Sequence, residues 1–106
     1  MIEIFQTDIY SEWFVRLRDR QARARIDTRL RRLRTGHLGD VKSVGEGVSE
    51  LRIDYGPGYR VNFTRRGQTI IILLAGGNKR TQIRDIQVAL TLKRNLQEGP
   101  IWNEFA

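Results

Sequence analysis

Cysteine is absent from the 106 residues, and there is one histidine, His37. Without thiols the chain builds neither a disulfide framework nor a thiolate zinc site, and a single imidazole excludes a multi-histidine metal centre. No metal or other cofactor is expected, and a cysteine-free chain suits a reducing cytoplasm. Long hydrophobic runs are missing too. The longest, Ile70–Ala75, falls far short of the ~20 residues a membrane helix needs, so no membrane partner is expected. Glu3, Asp8 and Glu12 near the start do not suit a signal peptide. No Ser/His/Asp grouping stands out, and His37 in the Thr35–Gly39 loop reads as a surface or capping residue.

Acid is scarce relative to base: 12 Asp+Glu face 19 Lys+Arg, a net charge of +7. The surplus is local. Nine arginines and two acids, Asp19 and Asp27, lie between Arg16 and Arg34, and that segment alone carries the whole +7. Arginine pairs bidentately with phosphate or carboxylate and gives up hydration more easily than lysine. The segment therefore points to an anionic partner, nucleic acid or an acidic protein segment, with Arg25, Arg29 and Arg32 as candidate RNA contacts.

With 40% hydrophobic residues the chain can bury a core, and its length suits one domain spanning 1–106 with a tail over 98–106. Ile2–Gln6 reads as a first strand and Thr7-Asp8 as a helix start. A helix over about Ile9–Asp19 would bury Ile9, Trp13 and Leu17, with Tyr10 and Phe14 beside them. A second over about Gln21–Thr35 carries the apolar stripe Ala22, Ile26, Leu30 and Leu33, stopped by Gly36. Strands follow at Asp40–Gly45, Val48–Asp54, Tyr59–Thr64 and Thr69–Ala75, the last apolar on both faces as a covered central strand would be. A last helix of about Lys79–Gln97, capped by Asn78, would bury Ile83, Ile86, Ala89, Leu90 and Leu96 before Gly99-Pro100 stops it. The predicted class is α+β: a small antiparallel sheet of about five strands packed against an N-terminal helical hairpin, with a C-terminal helix.

The Val48–Asp54 and Tyr59–Thr64 strands hold the most specific chemistry. If Leu51, Ile53, Val61 and Phe63 share one face, the register sets either Arg52 or Asp54 opposite Arg60. Both registers gather Glu50, Arg52, Asp54, Arg60, Asn62 and Thr64 into one polar patch. On a solvated sheet face Glu and Asp would pair the arginines, and Arg60→Ala would change stability by roughly a kcal/mol or less. Two opposed arginines repel unless an anion bridges them. Gly76-Gly77-Asn78-Lys79-Arg80 is a second candidate, in which backbone N–H groups before a helix meet a phosphate. It lacks the Walker spacing, so nucleotide hydrolysis is not indicated.

A run of short motifs resembles a known family. They are Thr7-x-x-Tyr10-x-x-Trp13, Leu17-Arg18-Asp19, Ile26-x-x-Arg29-Leu30-x-Arg32-Leu33 and Gly39-Asp40-x-Lys42. Then come Gly45-Glu46-Gly47-Val48-Ser49-Glu50-Leu51-Arg52-Ile53, Gly56-Pro57-Gly58-Tyr59-Arg60-Val61, and Gly76-Gly77-Asn78-Lys79 with Arg84-Asp85-Ile86. In this order, from residue 2 to about 96, they resemble the RelE/ParE superfamily of type II toxin–antitoxin toxins, in its HigB-like addiction module killer, or phage Gp49-like, branch. The resemblance implies a cytoplasmic toxin that cleaves mRNA on the ribosome. A cognate antitoxin, expected to be a helix-turn-helix protein, would hold it inactive. It implies Arg60 at the scissile phosphate, Arg52 as the basic residue of the preceding strand, and Lys79, Arg80 and Arg84 as RNA contacts. Glu50 and Asp85 are the carboxylates available to move a proton. Ile86 and Gln82 fall where RelE carries a tyrosine and a second arginine. A ParE-like gyrase inhibitor without catalysis and a basic nucleic-acid-binding module are the alternatives.

Overall fold

Thr7 joins the first strand to the first helix. In the computed structural model, which describes residues 2–96 and the backbone of 102–104, β1 (Glu3–Thr7) runs straight into α1 (Asp8–Arg16). The Thr7 hydroxyl accepts from the Tyr10 N–H at 3.1 Å, capping the helix, and donates to the Leu74 carbonyl at 2.6 Å, tying that cap to the sheet. Asp19 caps α2 (Arg20–Arg34) by accepting from the N–H groups of Gln21 and Ala22 at 2.9 and 3.2 Å. That is why the first helix ends at Arg16 and not at the expected Asp19. The Ala22 bond, followed by one from the Tyr55 hydroxyl, holds the Asp19 carboxyl below its ordinary range.

The α2 stripe is as expected: Ala22, Ile26, Leu30 and Leu33 are fully buried. The face of α1 is as expected but for one residue. Tyr10 is its buried residue, Trp13, Phe14 and Leu17 pack against the core, and Ile9, expected inside, is 44% exposed. The rings cluster on this face, Tyr10 lying 5.7 Å from Trp13 and 6.0 Å from Phe14 between centroids.

The strands β2 (Val41–Gly45), β3 (Val48–Ile53), β4 (Tyr59–Arg66) and β5 (Ile70–Asn78) form an antiparallel meander. β1 then pairs with β5 in parallel, Ile4 beside Ile71, so the α+β class holds but the sheet is mixed and not antiparallel. The helical pair carries the chain from β1 to the far edge at β2, and the meander returns to β1 with β5 pointing the same way. A short strand β6 (Trp102–Glu104) adds antiparallel to β1, in the stretch expected to be tail. The sheet order is β2-β3-β4-β5-β1-β6. The Gly99-Pro100 stop and the rest of the tail 98–106 lie outside the described residues. No helix among the described residues is long and apolar enough to cross a membrane.

Both sheet faces are covered. Leu51, Val61, Phe63, Ile71 and Leu73 face α1 and α2, while Val48, Ile72, Leu74 and Ala75 face α3 (Gln82–Asn95) with Ala89 and Leu96. Part of the expected polar patch lies under α3: Glu50, Asn62 and Thr64 are only 1–2% exposed, whereas Arg52 is half-buried at the margin and Asp54 is exposed beside α2. For Glu50, Asn62 and Thr64 the expectation of a solvated face is overturned. α3 starts at Gln82 because Asn78 makes a turn first, its Oδ1 accepting from the N–H groups of Arg80 and Thr81 at 2.9 and 3.3 Å. Helical spacing from Gln82 places 86, 89, 93 and 96 inward. Ala89 and Leu96 are buried, Ile86 and Leu90 half-buried, and Ile83, expected inside, is 77% exposed.

Gly76 and Gly77 are buried residues of β5, so the expected phosphate-binding turn before the last helix is instead strand. A Cβ on Gly76 would lie 2.2–2.6 Å from carbons of the Trp13 indole, which packs against Tyr10 and Tyr59. Gly76→Ala should lower stability by about 1–3 kcal/mol through overpacking. A urea melt measures it, and an unchanged midpoint would show that Trp13 moves aside freely.

Candidate functional site

The register sets Arg52 opposite Arg60, Glu50 opposite Asn62 and Val48 opposite Thr64. The opposed arginines are drawn apart by different acids. Arg52 turns to Asp40, Nη2 to Oδ1 at 2.9 Å, and Arg60 turns to Glu50, Nε to Oε1 at 3.6 Å. Splitting the pair this way relieves the like-charge cost without a bound anion.

Glu50 is the deepest charge of the group. It is 1% exposed, and the Gln82 Nε2 donates to both of its carboxylate oxygens at 3.1 and 2.9 Å. The Arg60 side chain is 15% exposed, and its Nε and Nη1 have no hydrogen-bond partner; neither has the Nδ2 of Asn62. The guanidinium is thus balanced in charge by Glu50, while two of its buried nitrogens have no acceptor.

Asp85 closes the other side. Its Oδ2 accepts from the Thr81 hydroxyl at 2.5 Å and stands over Gly77, where a Cβ would lie 1.7 Å away. Gly77 is the β5 partner of Arg60, so Asp85 and the guanidinium share one strip of the sheet. The bulge between Asn62 and Phe63 helps by turning both Ala75 and Gly77 toward α3. Outside lies an open hollow lined by Lys79, Arg80, Thr81, Gln82, Arg84 and Gln87. Arg84 is 74% exposed, with its Nε 3.8 Å from Asp85 Oδ1.

The fold thus brings Glu50, Arg60 and Asp85 together and rims them with Lys79, Arg80 and Arg84. Arg52 stands at the margin, 37% exposed beside Asp40. Gln82 is the member that sequence reasoning passed over as a departure. The 82–86–89–93–96 spacing was the signal that it opens the inward row of α3.

Arg25, Arg29 and Arg32 do not join this group. They line a groove on α2, on the opposite face of the sheet, with Thr28, Ile53 and Asp54. Arg29 is structural there, donating to the carbonyls of Arg52 at 2.6 Å and Leu38 at 3.3 Å. Burial lowers its pKa from the ordinary value, with Asp40 acting the other way. Arg25 lies 4.6 Å from the centroid of the Tyr55 ring and Arg32 is exposed. Burial pushes the Asp27 carboxyl above its ordinary range, against the pull of Arg31 and Arg23. His37 closes the C-terminal end of α2 as expected, its N–H donating to the Arg32 carbonyl at 2.9 Å and its Nδ1 lying 3.1 Å from the Thr35 hydroxyl.

The model of the phage-derived protein Gp49-like family matches residues 12–94 of the chain. An uncharacterized protein of Haemophilus influenzae is 43% identical over 95 residues, a span covering 90% of this chain and 96% of the relative. No solved structure matches.

Burial changes what Arg60→Ala should do. The solvated-face expectation of about a kcal/mol or less does not hold, because the truncation strands a buried carboxylate. Arg60→Ala should cost about 2–4 kcal/mol, and Arg60→Lys, which keeps a cation beside Glu50, about 1 kcal/mol. Urea denaturation of both variants measures this; equal small losses would mean that Glu50 does not depend on Arg60.

Proposed function

The chain belongs to the phage-derived Gp49-like family, a RelE/ParE-like toxin family, and from that premise we propose that it is the toxin of a type II toxin–antitoxin module, of the HigB-like kind, acting as a ribosome-dependent mRNA endonuclease. The observation that carries the reading is the Arg60 guanidinium, 15% exposed and charge-balanced by Glu50, on one strip of the sheet with Asp85 and beside a hollow lined by Lys79, Arg80 and Arg84. A partly exposed guanidinium among further cations suits a phosphate oxygen whose charge grows in the transition state.

In this reading the ribonucleotide 2′-OH attacks the adjacent phosphorus and the 5′ oxygen leaves, taking a proton from water, to give a 2′,3′-cyclic phosphate and a 5′-hydroxyl end. Arg60 stabilises the phosphorane, and Arg52 adds positive potential from the margin. Lys79, Arg80 and Arg84 bind the RNA backbone. Glu50, shut beneath α3, orients Arg60 and does not itself meet RNA. Asp85, whose side chain is 13% exposed, takes the 2′-OH proton in this reading. This is a spare catalytic set, and the ribosome supplies the alignment of the 2′-OH. A cognate antitoxin, a helix-turn-helix protein, restrains the toxin in the cytoplasm until it is lost.

Induction in cells of wild type and Arg60→Lys tests the assignment. Wild type should halt protein synthesis first and leave cuts within translated codons, whereas Arg60→Lys, folded by its melt, should leave growth intact because an ammonium cannot reproduce the planar donors. Double-strand DNA breaks and an SOS response with intact mRNA would favour a ParE-like gyrase poison and overturn the nuclease. Growth arrest with neither lesion would favour a non-enzymatic nucleic-acid binder.

Arg25 and Arg32, exposed on α2, serve in this reading as contacts to ribosomal RNA. Ribosome binding should weaken steeply from about 50 to about 200 mM salt, and replacing both with alanine should reduce the log–log salt slope by about 2. An unchanged slope would remove α2 from the interface.

A further inference from the structure

Turning Gln82 inward leaves Ile83 outside, 77% exposed. A single exposed apolar side chain is ordinary, but the company of this one is not. Ile83 stands with Lys79, Arg80, Arg84 and Gln87 around an open hollow of about 440 Å³, inside the range of roughly 300–1,000 Å³ usual for small-ligand clefts. Lys79, Arg80, Arg84 and Gln87 are exposed as well. Among the described residues neither Lys79 nor Arg80 has an ion-pair partner, and Arg84 meets only Asp85, at 3.8 Å. Three weakly compensated cations thus surround one apolar side chain. Gln87 lies one turn on from Ile83 and adds an amide that can both donate and accept.

We propose that this hollow is a nucleotide seat, in which Ile83 packs against the face of a nucleobase while Lys79, Arg80 and Arg84 hold the phosphate beside it. A nucleotide of a single strand has both parts, an anionic phosphate and a flat ring bare of its stacking neighbour. Inorganic phosphate would be served by the cations alone and would leave Ile83 with nothing to cover. A docked amphipathic peptide would call for a row of apolar anchors, and the lining of the hollow offers one. The seat adjoins the strip of Arg60 and Asp85 through its rim, where the Thr81 hydroxyl donates to Asp85 at 2.5 Å. The proposal rests on the reading of Lys79, Arg80 and Arg84 as RNA contacts and adds the residue that meets a base.

Methyl NMR of the full chain, labelled at isoleucine, tests it. The Ile83 Cδ1 signal is assigned by its loss in Ile83→Val. Adenosine monophosphate and ribose 5-phosphate are the titrants, since they carry the same phosphate and differ by the base. Adenosine monophosphate should move the Ile83 methyl upfield, through the ring current of a base seated on it, and ribose 5-phosphate should not. Affinities, read at the Arg84 amide, should favour adenosine monophosphate about fivefold, the scale of a few tens of Å² of apolar contact. In Ile83→Ala, which truncates an exposed side chain and removes little burial, the two titrants should bind equally. A methyl that responds alike to both titrants, or to neither, overturns the seat, as does an Ile83→Ala chain that keeps the preference. A methyl that ignores both and moves with pentaglutamate gives the hollow to an acidic protein segment and overturns the seat too. Ribosome-dependent mRNA cleavage by wild type, measured alongside, tells the seat from the nuclease. Cleavage by a protein that binds the two titrants alike overturns the seat alone. A base-dependent shift at Ile83, in a protein that cuts no mRNA, supports the seat and overturns the nuclease.

Discussion

A carboxylate placed in the middle of a sheet and roofed by a helix must be met by donors, or the roof cannot stay. Glu50 imposes that requirement here. An ion left unpaired in a protein interior costs several kcal/mol, a large share of the roughly 5–15 kcal/mol by which a domain is stable. The Gln82 amide and the Arg60 guanidinium meet the need from two directions. The placement of α3 follows. Its first residue has to be the glutamine, so its inward row starts at 82, and Ile83 turns outward.

The other end of the roof is fastened independently. Glu46, in the β2–β3 turn with a positive φ of 52°, receives the Arg94 guanidinium at 2.7 Å, and its carbonyl accepts from Lys93. Arg66 reaches from β4 to the Leu96 carbonyl at 3.1 Å. With both ends of α3 tied, the strip between Arg60 and Asp85 is held on regular elements and not on loops. The opposite face carries the larger apolar core and the arginines of α2. The chain therefore shows cationic surface on both sides of one sheet, with phosphate chemistry proposed for one side and docking for the other.

Much of the frame was legible in the sequence. The stripe from Ala22 to Leu33 has one reading at helical spacing, the doubly apolar run in β5 marks a central strand, and alternation around Leu51 and Val61 narrowed the β3–β4 register to two choices. Alternation reports which residues share a face, however, and not what covers that face. It therefore gathered Glu50, Asn62 and Thr64 correctly but left them in solvent. The parallel pairing of β1 with β5 is a contact between distant segments with no local signature. Gly76 and Gly77 read as a turn because glycine pairs usually are one; here each glycine makes room for a side chain above or below the sheet, Trp13 on one side and Asp85 on the other. The resemblance implied Arg60, while Gln82 was hidden because a glutamine has no chemistry to announce until the buried acid beneath it is seen.

The most direct test of the central claim is the chemistry of the RNA ends formed when purified protein meets an mRNA with and without ribosomes translating it. The expected result is cuts within the translated codons, each leaving a 2′,3′-cyclic phosphate and a 5′-hydroxyl, with naked RNA barely touched. Intact mRNA on translating ribosomes, or equal cutting of naked RNA, would contradict a site in which Arg60 supplies the phosphate contact and the ribosome supplies the alignment.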